Sequence, residues 1–317
     1  MMRQCLNPVL ACTGRALVAL ATGCALAWPV AAMAADAPAA PPRYVFRTVP
    51  ATPMTLPAPV PLGAPTAGQP FQWTGLPNER ILRNVTSATL YLVKPEAGRA
   101  NGRAVLVVPG GGYKFVAIEN EGLPVARRLA EAGYTAAVLV YRVQPTPAAD
   151  EGFAAMVNQE ISERFARPQP VDTQRLEHPP AVEDAKAAMR WLRAHAAELS
   201  VDAARIGYIG FSAGAHSGHL LAQTAEPAEM PATLALIYGG MQAVQPRQPV
   251  PPLFIAQALD DPLFPLTHIN LVHSWQRAGQ RVEVHLYERG SHGFGLIPRG
   301  TTSDGWMDAY LAWLARQ

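Results

Sequence analysis

Short apolar runs alternate with amphipathic stretches along the chain from about residue 80 onwards. The runs are rich in Val, Ile, Leu, Ala and Tyr and contain few polar residues, which is typical of strands that are largely buried. The predicted strands are 88–94, 104–108, 136–141, 205–210, 234–238, 253–258 and 282–287. The predicted helices are 122–132, 182–199, 213–224, 265–278 and 304–315.

The regular alternation of these elements predicts βαβ units, because parallel neighbours need a crossover connection and a helix is the usual one. We therefore expect an α/β fold over residues 80–317, with a doubly wound, mostly parallel sheet and helices on both faces. The helix 182–199 has a proline pair just before it, Pro179 and Pro180. Proline suits a first helical turn, where the missing N–H has no partner to lose.

Two segments do not show this alternation of strands and helices. Residues 35–79 are crowded with proline, which the interior of a helix or central strand does not tolerate. They are predicted to be a linker or an extended arm lying on the domain. Residues 144–178 are too long for an ordinary connection and are interpreted as an insertion, of the kind that forms a functional lid or stays disordered.

The first 34 residues have the features of an export signal. Arg3 and Arg15 precede an apolar run that closes on Ala32-Met33-Ala34, a small-x-small cleavage pattern before Ala35. Gly23 and Pro29 interrupt the run, which makes it a weak candidate for a spanning helix. The sequence therefore predicts a periplasmic or secreted protein with no membrane span in the mature chain.

All three cysteines, Cys5, Cys12 and Cys24, lie within this signal. The predicted mature chain then has no disulfide, no thiolate zinc site and no cysteine nucleophile. A lipoprotein cleavage site at Cys24 is the weaker alternative, because the apolar run continues well beyond it.

Charge excludes one class of partner. The net charge is +2, and 16% of the residues are charged, with no dense Lys/Arg run. Nucleic acid binding requires a basic field that this composition does not supply.

Ser212 is the candidate nucleophile. It lies between a predicted strand and a predicted helix in the pattern Gly210-x-Ser212-x-Gly214. In a nucleophile elbow, a tight turn at this place exposes the serine, and the flanking glycines avoid steric overlap. The motif alone is common, and its placement between strand and helix makes it informative.

A serine hydroxyl needs a base to take its proton. His216 and His219 are nearest in sequence, but both would lie on the helix that leads away from the elbow, so structural roles are favoured for them. His292 is the better candidate, because it follows the strand 282–287 in a glycine-flanked loop. Ligands bind at the carboxyl ends of strands in such sheets.

The orienting acid is expected between serine and histidine in chain order. Asp260 and Asp261 both follow the strand 253–258, and Asp261 is preferred because Asp-x-x-Phe-Pro places it at the turn into the next helix. A triple-glycine segment, 110–112, directly follows the strand 104–108. Its amides, with that of Ala213, would stabilise a developing oxyanion.

These motifs resemble those of the α/β-hydrolase superfamily, in particular exported bacterial esterases related to acetylxylan and bifunctional acetylxylan/feruloyl esterases. The resemblance is carried by "NGRAVLVVPGGGYKFVAIENEGLPVARRLAEAGYTAAVLVYRV", "VEDAKAAMRWLRAHAAELSVDAARIGYIGFSAGAH", "ALDDPLFP" and "GSHGFGL". It implies a triad of Ser212, Asp261 and His292. It also implies an oxyanion hole made by Gly111, Gly112 and Ala213.

The chain departs from the family pattern at Ala215, where a second glycine is common, and in the insertion 144–178, which is longer than the usual link at this place. Four charged residues near the motifs are interpreted as structural ion pairs or turn supports rather than groups that bind substrate hydroxyls. They are Glu119, Glu121, Arg142 and Asp184.

The resemblance implies a serine esterase that removes short acyl groups, such as acetyl, from plant cell-wall carbohydrate or small esters, with no metal or organic cofactor. Three alternatives remain open at this point: a serine peptidase-like hydrolase of the same superfamily, a metal-dependent carbohydrate deacetylase, and a non-catalytic hydrolase-fold protein that binds carbohydrate.

Overall fold

A central eight-stranded sheet organises the chain. The computed structural model describes residues 45–63, 70–166 and 178–317. In these residues the strands are β1 (Pro59–Pro61), β2 (Gln72–Gly75), β3 (Arg80–Arg83), β4 (Thr89–Val93), β5 (Ala104–Val108), β6 (Phe115–Val116), β7 (Thr135–Val140), β8 (Ile206–Phe211), β9 (Leu234–Ile237), β10 (Leu253–Ala258) and β11 (Val282–Tyr287).

The strand order in the central sheet is β1-β4-β7-β5-β8-β9-β10-β11, and a smaller sheet has the order β2-β3-β6. From β7 to β11 all neighbours in the central sheet are parallel, while β4 is antiparallel to both β1 and β7. The parallel strands therefore end at one edge, where loops from β5, β8, β10 and β11 come together.

Six helices accompany the strands in the described residues. They are α1 (Leu123–Glu131), α2 (Asp150–Ala166), α3 (Pro179–Ala194), α4 (Ala213–Thr224), α5 (Asn270–Arg277) and α6 (Trp306–Leu314). A π-helical turn, Ile118–Gly122, precedes α1, and a 3-10 turn, Thr302–Gly305, precedes α6. The prolines before the predicted helix 182–199 form the first turn of α3.

The core lies on both faces of the sheet. Every residue of β5, β8 and β10 is buried. Apart from Gln257, these strands are therefore apolar without alternation, as strands covered on both faces must be. Helices α1 and α6 are joined by an ion pair between Arg128 and Asp308, with Nη2 and Oδ1 2.8 Å apart. Helices α3 and α4 pack against each other and against β8. The doubly wound α/β architecture expected from the sequence is confirmed.

The domain begins earlier than the predicted boundary at residue 80. Residues 45–63 and 70–79 belong to the same compact unit as the rest of the described chain. Within them, β1 pairs with β4 at the edge of the central sheet, and β2 pairs with β3. Two prolines are accommodated in β1 because it is an edge strand, where a missing N–H breaks no ladder.

Part of the insertion 144–178 is helical. Helix α2 is anchored at its start by Arg83, whose Nη2 lies 2.6 Å from Asp150 Oδ1 and whose guanidinium lies over the ring of Phe153. Near its end, Arg164 Nη2 donates to the carbonyl oxygen of Leu263 (2.6 Å). The insertion is thus tied to the small sheet at one end and to the loop after β10 at the other.

Several sequence predictions fall on residues outside the described ranges. These are the export signal 1–34 with its three cysteines and residues 35–44, 64–69 and 167–177. Among the described residues, no helix is both long enough and apolar enough to cross a bilayer.

Candidate active site

Ser212 lies at the tight turn that joins β8 to α4. Its backbone has φ 48° and ψ −111°, a strained conformation for a residue with a side chain. The flanking glycines are required by close packing: a Cβ on Gly210 would overlap the carbonyl of Gly214, and one on Gly214 would overlap that of Val108. The geometry is that of a nucleophile elbow, which presents the hydroxyl at the end of the sheet.

His292, in the loop after β11, bridges Ser212 and Asp261. Its Nε2 lies 2.9 Å from Ser212 Oγ, and its Nδ1 lies 2.8 Å from Asp261 Oδ2. The histidine side chain is 15% exposed and the aspartate side chain is fully buried. The three residues selected from the sequence are therefore in one hydrogen-bonded chain, from a buried carboxylate to a hydroxyl.

Asp261 is held by the turn that follows it. Its Oδ1 accepts hydrogen bonds from the backbone N–H groups of Leu263 (2.8 Å) and Phe264 (2.9 Å). Burial alone would raise the pKa of Asp261, but the nearby His292 and these hydrogen bonds reverse the effect and lower it. An ionised carboxylate at this position favours the tautomer of His292 that carries its proton on Nδ1.

Asp260, the alternative acid, contacts a different part of the site. Its Oδ1 accepts hydrogen bonds from the backbone N–H groups of Gly290 (2.9 Å) and Ser291 (2.7 Å). It therefore ties the loop after β10 to the loop that carries His292. The two neighbouring aspartates therefore have different roles. Asp261 forms a hydrogen bond with the imidazole of His292, and Asp260 accepts hydrogen bonds from the backbone of the loop that carries His292.

Arg299 secures the His292 loop from the opposite side. Its guanidinium donates to the backbone carbonyl oxygens of Gly290 (3.0 Å), His292 (3.2 Å) and Gly293 (2.5 Å). Arg299 cannot be recognised from the sequence, since an arginine six residues beyond Gly293 belongs to no motif. These three hydrogen bonds from one guanidinium restrict the backbone of the loop that carries the His292 side chain.

Asn120, in the π-helical turn before α1, provides a second restraint. Its Nδ2 donates to the Gly293 carbonyl (3.0 Å), and its Oδ1 accepts from the N–H groups of Leu296 (3.0 Å) and Ile297 (3.1 Å). Asn120 is buried and was also missed in the sequence. Asn120 therefore connects the π-helical turn to the loop that carries His292 and to the residues just after that loop.

The glycine segment after β5 adopts backbone conformations that need glycine. Gly111 has φ 126° and Gly112 has φ 59°, and a Cβ on Gly111 would overlap the Phe115 carbonyl. Among the described residues, none accepts a hydrogen bond from the N–H of Gly111 or Gly112. Ala213 is the first residue of α4, and an N–H at this position has no partner within its helix. Gly111 and Gly112 line the same cavity as Ser212.

Glu121 supports this glycine segment from beneath. Its side chain accepts hydrogen bonds from the Gly110 N–H (2.5 Å) and from the Tyr238 hydroxyl (2.8 Å). Burial raises the pKa of Glu121, against the opposing effect of these hydrogen bonds. The Tyr238 ring lies edge-on to the imidazole of His292, with 5.2 Å between the ring centres. Glu121 thus has the structural role expected from the sequence.

The remaining charged candidates form ion pairs. Glu119 pairs with Arg80, and the Arg142 Nη2 lies 2.6 Å from Asp184 Oδ1. These contacts agree with the structural roles expected for Glu119, Arg142 and Asp184.

His216 and His219 are buried in α4, and the partner of Ser212 Oγ is instead His292. Burial lowers the pKa of His219 to about 3, so its ring stays neutral at physiological pH. Its Nδ1 lies 3.4 Å from the side-chain nitrogen of Gln242. Both histidines are core residues of the helix, as the sequence interpretation favours.

A cavity of about 380 Å³ has Ser212 and His292 in its wall. The rest of the wall comes from the glycine segment and the residues after it, the π-helical turn before α1, the loop after β10, the segment that follows His292, the segment before β3, and α2. The residues contributed by the last two regions are Phe46, Leu76, Glu79, Val157, Glu160, Ile161, Glu163 and Arg164. The insertion and the N-terminal segment therefore shape the space in which a substrate would be bound.

The described residues contain no group of three or more His, Cys, Asp or Glu side chains arranged to hold a metal ion.

The chain is similar to known proteins in part of its sequence and in its fold. The BD-FAE family model matches residues 171–242, which include Ser212. No curated protein sequence matches the chain.

Solved structures match over most of its length. The acetyl ester-xyloside bifunctional hydrolase from Caldicellulosiruptor lactoaceticus has 22% identity and a TM-score of 0.58, covering 82% of this chain and 97% of its own. MGS-M1, an α/β hydrolase from a Medee basin deep-sea metagenome library, has 24% identity and a TM-score of 0.56, with coverages of 73% and 91%.

A thermophilic esterase from Thermogutta terrifontis, of the Planctomycetes, has 20% identity and a TM-score of 0.51, with coverages of 76% and 93%. The chain has the α/β-hydrolase fold, in agreement with the resemblance found in its sequence.

Proposed function

We propose that the protein is a serine carboxylesterase that hydrolyses short acyl esters, acetyl esters first among them, on carbohydrate of the plant cell wall such as xylan. The observation that carries this proposal is the hydrogen-bonded chain from Asp261 through His292 to Ser212, set beside a glycine segment with unused amides. Such a chain activates a hydroxyl that is otherwise a poor nucleophile.

In the proposed acylation step, His292 Nε2 takes the proton of Ser212 while Oγ bonds to the acyl carbon of the ester. The carbonyl oxygen becomes an oxyanion, and the N–H groups of Gly111, Gly112 and Ala213 donate to it. Each such donor contributes about 3 kcal/mol to stabilisation of the transition state. His292 then returns the proton to the departing alcohol oxygen as the carbon–oxygen bond breaks, leaving an acyl group on Ser212.

Deacylation repeats these events with water. His292 takes a proton from water, whose oxygen bonds to the acyl carbon, and the proton then goes to Ser212 Oγ as the acid leaves. Asp261 stabilises the imidazolium form of His292 that occurs in both steps.

The substrate class is supported by two observations. The acetyl ester-xyloside bifunctional hydrolase shares the fold, and the cavity has polar as well as apolar residues in its wall. An alcohol moiety with several hydroxyl groups can be bound there.

Hydrolysis of p-nitrophenyl acetate, butyrate and octanoate by the wild-type protein and by Ser212→Ala tests the reaction class. We expect turnover that is fastest for the shorter esters and is abolished in the variant. A fluorophosphonate probe should label the wild-type protein at Ser212, located by peptide mass spectrometry. Full turnover by Ser212→Ala, or chelator-sensitive activity without labelling, contradicts the proposal.

Release of acetate from acetylated xylan, acetylated pectin and small esters then ranks the substrates. Preferential cleavage of peptide p-nitroanilides over esters would instead support a peptidase-like activity. Binding of xylan without labelling or turnover would support a non-catalytic protein.

We also propose that the chain is exported. The support is the signal-like sequence before Ala35. N-terminal sequencing of the protein recovered from the periplasm or the medium should begin at Ala35. Retention of the residues before it, or a lipid-modified Cys24, contradicts this proposal.

A further inference from the structure

The side chain of Glu79 is an unexplained polar group in the wall of the candidate active site. Glu79 lies in the turn between β2 and β3, where its carbonyl oxygen accepts from the N–H of Leu76 (2.7 Å). It lines the same cavity as Ser212 and His292. Its Oε2 is buried and has no hydrogen-bond partner among the described residues. Buried polar atoms without a partner are rare and call for an explanation.

The protein groups around Glu79 do not supply that partner. Arg299 is the nearby cation, but its guanidinium donates to the carbonyls of the His292 loop. Glu119 is paired with Arg80. Glu121 is an acid, like Glu79 itself. Glu79 therefore keeps an unpartnered carboxyl oxygen in a residue that lines the cavity.

A hydroxyl group is the ligand chemistry that suits this carboxyl best. Burial and the neighbouring Glu121 raise the pKa of Glu79 to about 8, so both of its protonation states occur near neutral pH. An ammonium group would need the ionised form and a carbonyl would need the protonated form. A hydroxyl can donate to the first and accept from the second.

The surroundings also favour a neutral ligand. The cavity wall contains the cations Lys114, Arg164 and Arg299 as well as acidic residues, and Lys114 lies 3.2 Å from Glu160. No single sign of charge dominates. Apolar side chains, such as Leu76 and Phe46, also line the cavity and suit the carbon face of a ring.

We propose that Glu79 is a specificity-determining residue that binds a free hydroxyl of the sugar carrying the ester, on the alcohol side of the scissile bond. This inference rests on the proposed esterase function and adds the group that distinguishes sugar esters from simple ones. It also gives the N-terminal segment of the domain, through the turn before β3, a part in substrate selection.

The test compares two esters in wild type, Glu79→Gln and Glu79→Leu. One is a mono-O-acetylated methyl β-xylopyranoside, and the other is p-nitrophenyl acetate, whose leaving group has no hydroxyl. We expect Glu79→Leu to lower kcat/KM for the sugar ester about 10- to 100-fold, because a site built for a hydroxyl loses most of its discrimination without its partner. The value for p-nitrophenyl acetate should stay within about 3-fold. The kcat/KM of Glu79→Gln for the sugar ester should lie between those of wild type and Glu79→Leu.

Deoxy substrates identify the hydroxyl. Removing the hydroxyl that Glu79 binds should lower kcat/KM of the wild type by about the factor seen for Glu79→Leu, and should cost that variant little more, because two changes to one contact are not additive. Deoxygenation at the other free position should lower kcat/KM of wild type and variant equally. The exposed Glu198, which lies outside the cavity, provides a control in Glu198→Gln.

Four outcomes overturn the inference: equal losses on both esters, no loss on either, additive losses with every deoxy substrate, or a wild type that cleaves p-nitrophenyl acetate but no sugar ester. Failure of the proposed function appears differently, as absence of p-nitrophenyl acetate turnover and of phosphonate labelling in the wild type. If Glu79→Leu does not fold, the kinetics of Glu79→Gln and of wild type with the deoxy substrates still test whether Glu79 binds a sugar hydroxyl.

Discussion

His292 Nε2 lies 2.9 Å from Ser212 Oγ, although 80 positions separate the two residues in the chain. Both are in loops that leave the same edge of the parallel sheet, Ser212 after β8 and His292 after β11. The central sheet therefore places Ser212 and His292 in contact although they are distant in sequence. Two strands, β9 and β10, lie between them.

The two neighbouring aspartates should differ sharply in their effect on catalysis. Asp261→Asn removes the acceptor for His292 Nδ1, so we expect kcat to fall about 10⁴-fold with little change in KM. Asp260→Asn weakens only the restraint on the Gly290 and Ser291 amides and should lower kcat about 10-fold or less. Ester kinetics measure both, with circular dichroism to verify the fold. A larger loss for Asp260→Asn would reverse the assignment.

Arg299 should act as a positioning residue. Arg299→Ala removes three hydrogen bonds to the backbone of the His292 loop, and we expect kcat for p-nitrophenyl acetate to fall about 10- to 100-fold while KM changes little. The exposed Arg289, in the same region, is the matched control, and Arg289→Ala should be close to wild type. An imidazole proton signal from His292, followed by NMR, should broaden in Arg299→Ala only. An unchanged signal and kcat would assign the arginine another role.

The elbow should not tolerate a methyl group at Gly214. In Gly214→Ala the new Cβ would overlap the Val108 carbonyl, so β5 and α4 would have to separate. We expect a loss of more than about 2 kcal/mol in the free energy of unfolding. Gly305→Ala is the control, since no atom lies within 4 Å of its added Cβ. Urea denaturation of both variants measures the difference, and equal stabilities would contradict the close packing described for the elbow.

The buried carboxyl of Glu79 should make stability depend on pH. Its pKa is about 8 in the folded protein against 4.5 ordinarily. Between these values the folded state keeps a proton that the unfolded state has released, so this group lowers the free energy of unfolding as pH rises. Glu79→Gln removes the effect. The variant should therefore gain stability relative to wild type from pH 4.5 to 8, by a few kcal/mol at about 1.4 kcal/mol per pKa unit.

Urea denaturation of both proteins across this pH range measures the difference. The relative stability should be constant below the lower pKa and again above the upper one. Glu198→Gln, at an exposed position, should track wild type throughout. A difference between Glu79→Gln and wild type that does not vary with pH would mean that the carboxyl ionises normally.

Much of the fold could be predicted from local patterns. Strands β5, β10 and β11 have the predicted bounds. Strands β5 and β10 are buried along their whole length and almost entirely apolar, as strands covered on both faces must be. Strand β11 lies at the sheet edge, is only partly buried and alternates apolar with polar residues over most of its length. Helix α5 begins at Asn270, later than predicted. The chain before it turns around the carboxylate of Asp261, and such a contact leaves no periodic signal.

The edges of the domain were harder to predict. The proline content of residues 35–79 predicts an arm or linker, because proline is excluded from most strands. An edge strand is the exception, and whether a strand lies at an edge depends on the completed sheet.

The sequence by itself determined the alternating architecture, the elbow at Ser212 and the candidate status of His292, since burial on both faces and a glycine-flanked turn are local demands on residue type. Tertiary structure alone decided that Asp261 bonds the imidazole while Asp260 bonds its loop, and that Arg299, Asn120 and Glu79 join the site. These contacts depend on the angles at which loops leave separate strands. Those angles cannot be predicted from the spacing of residues along the chain.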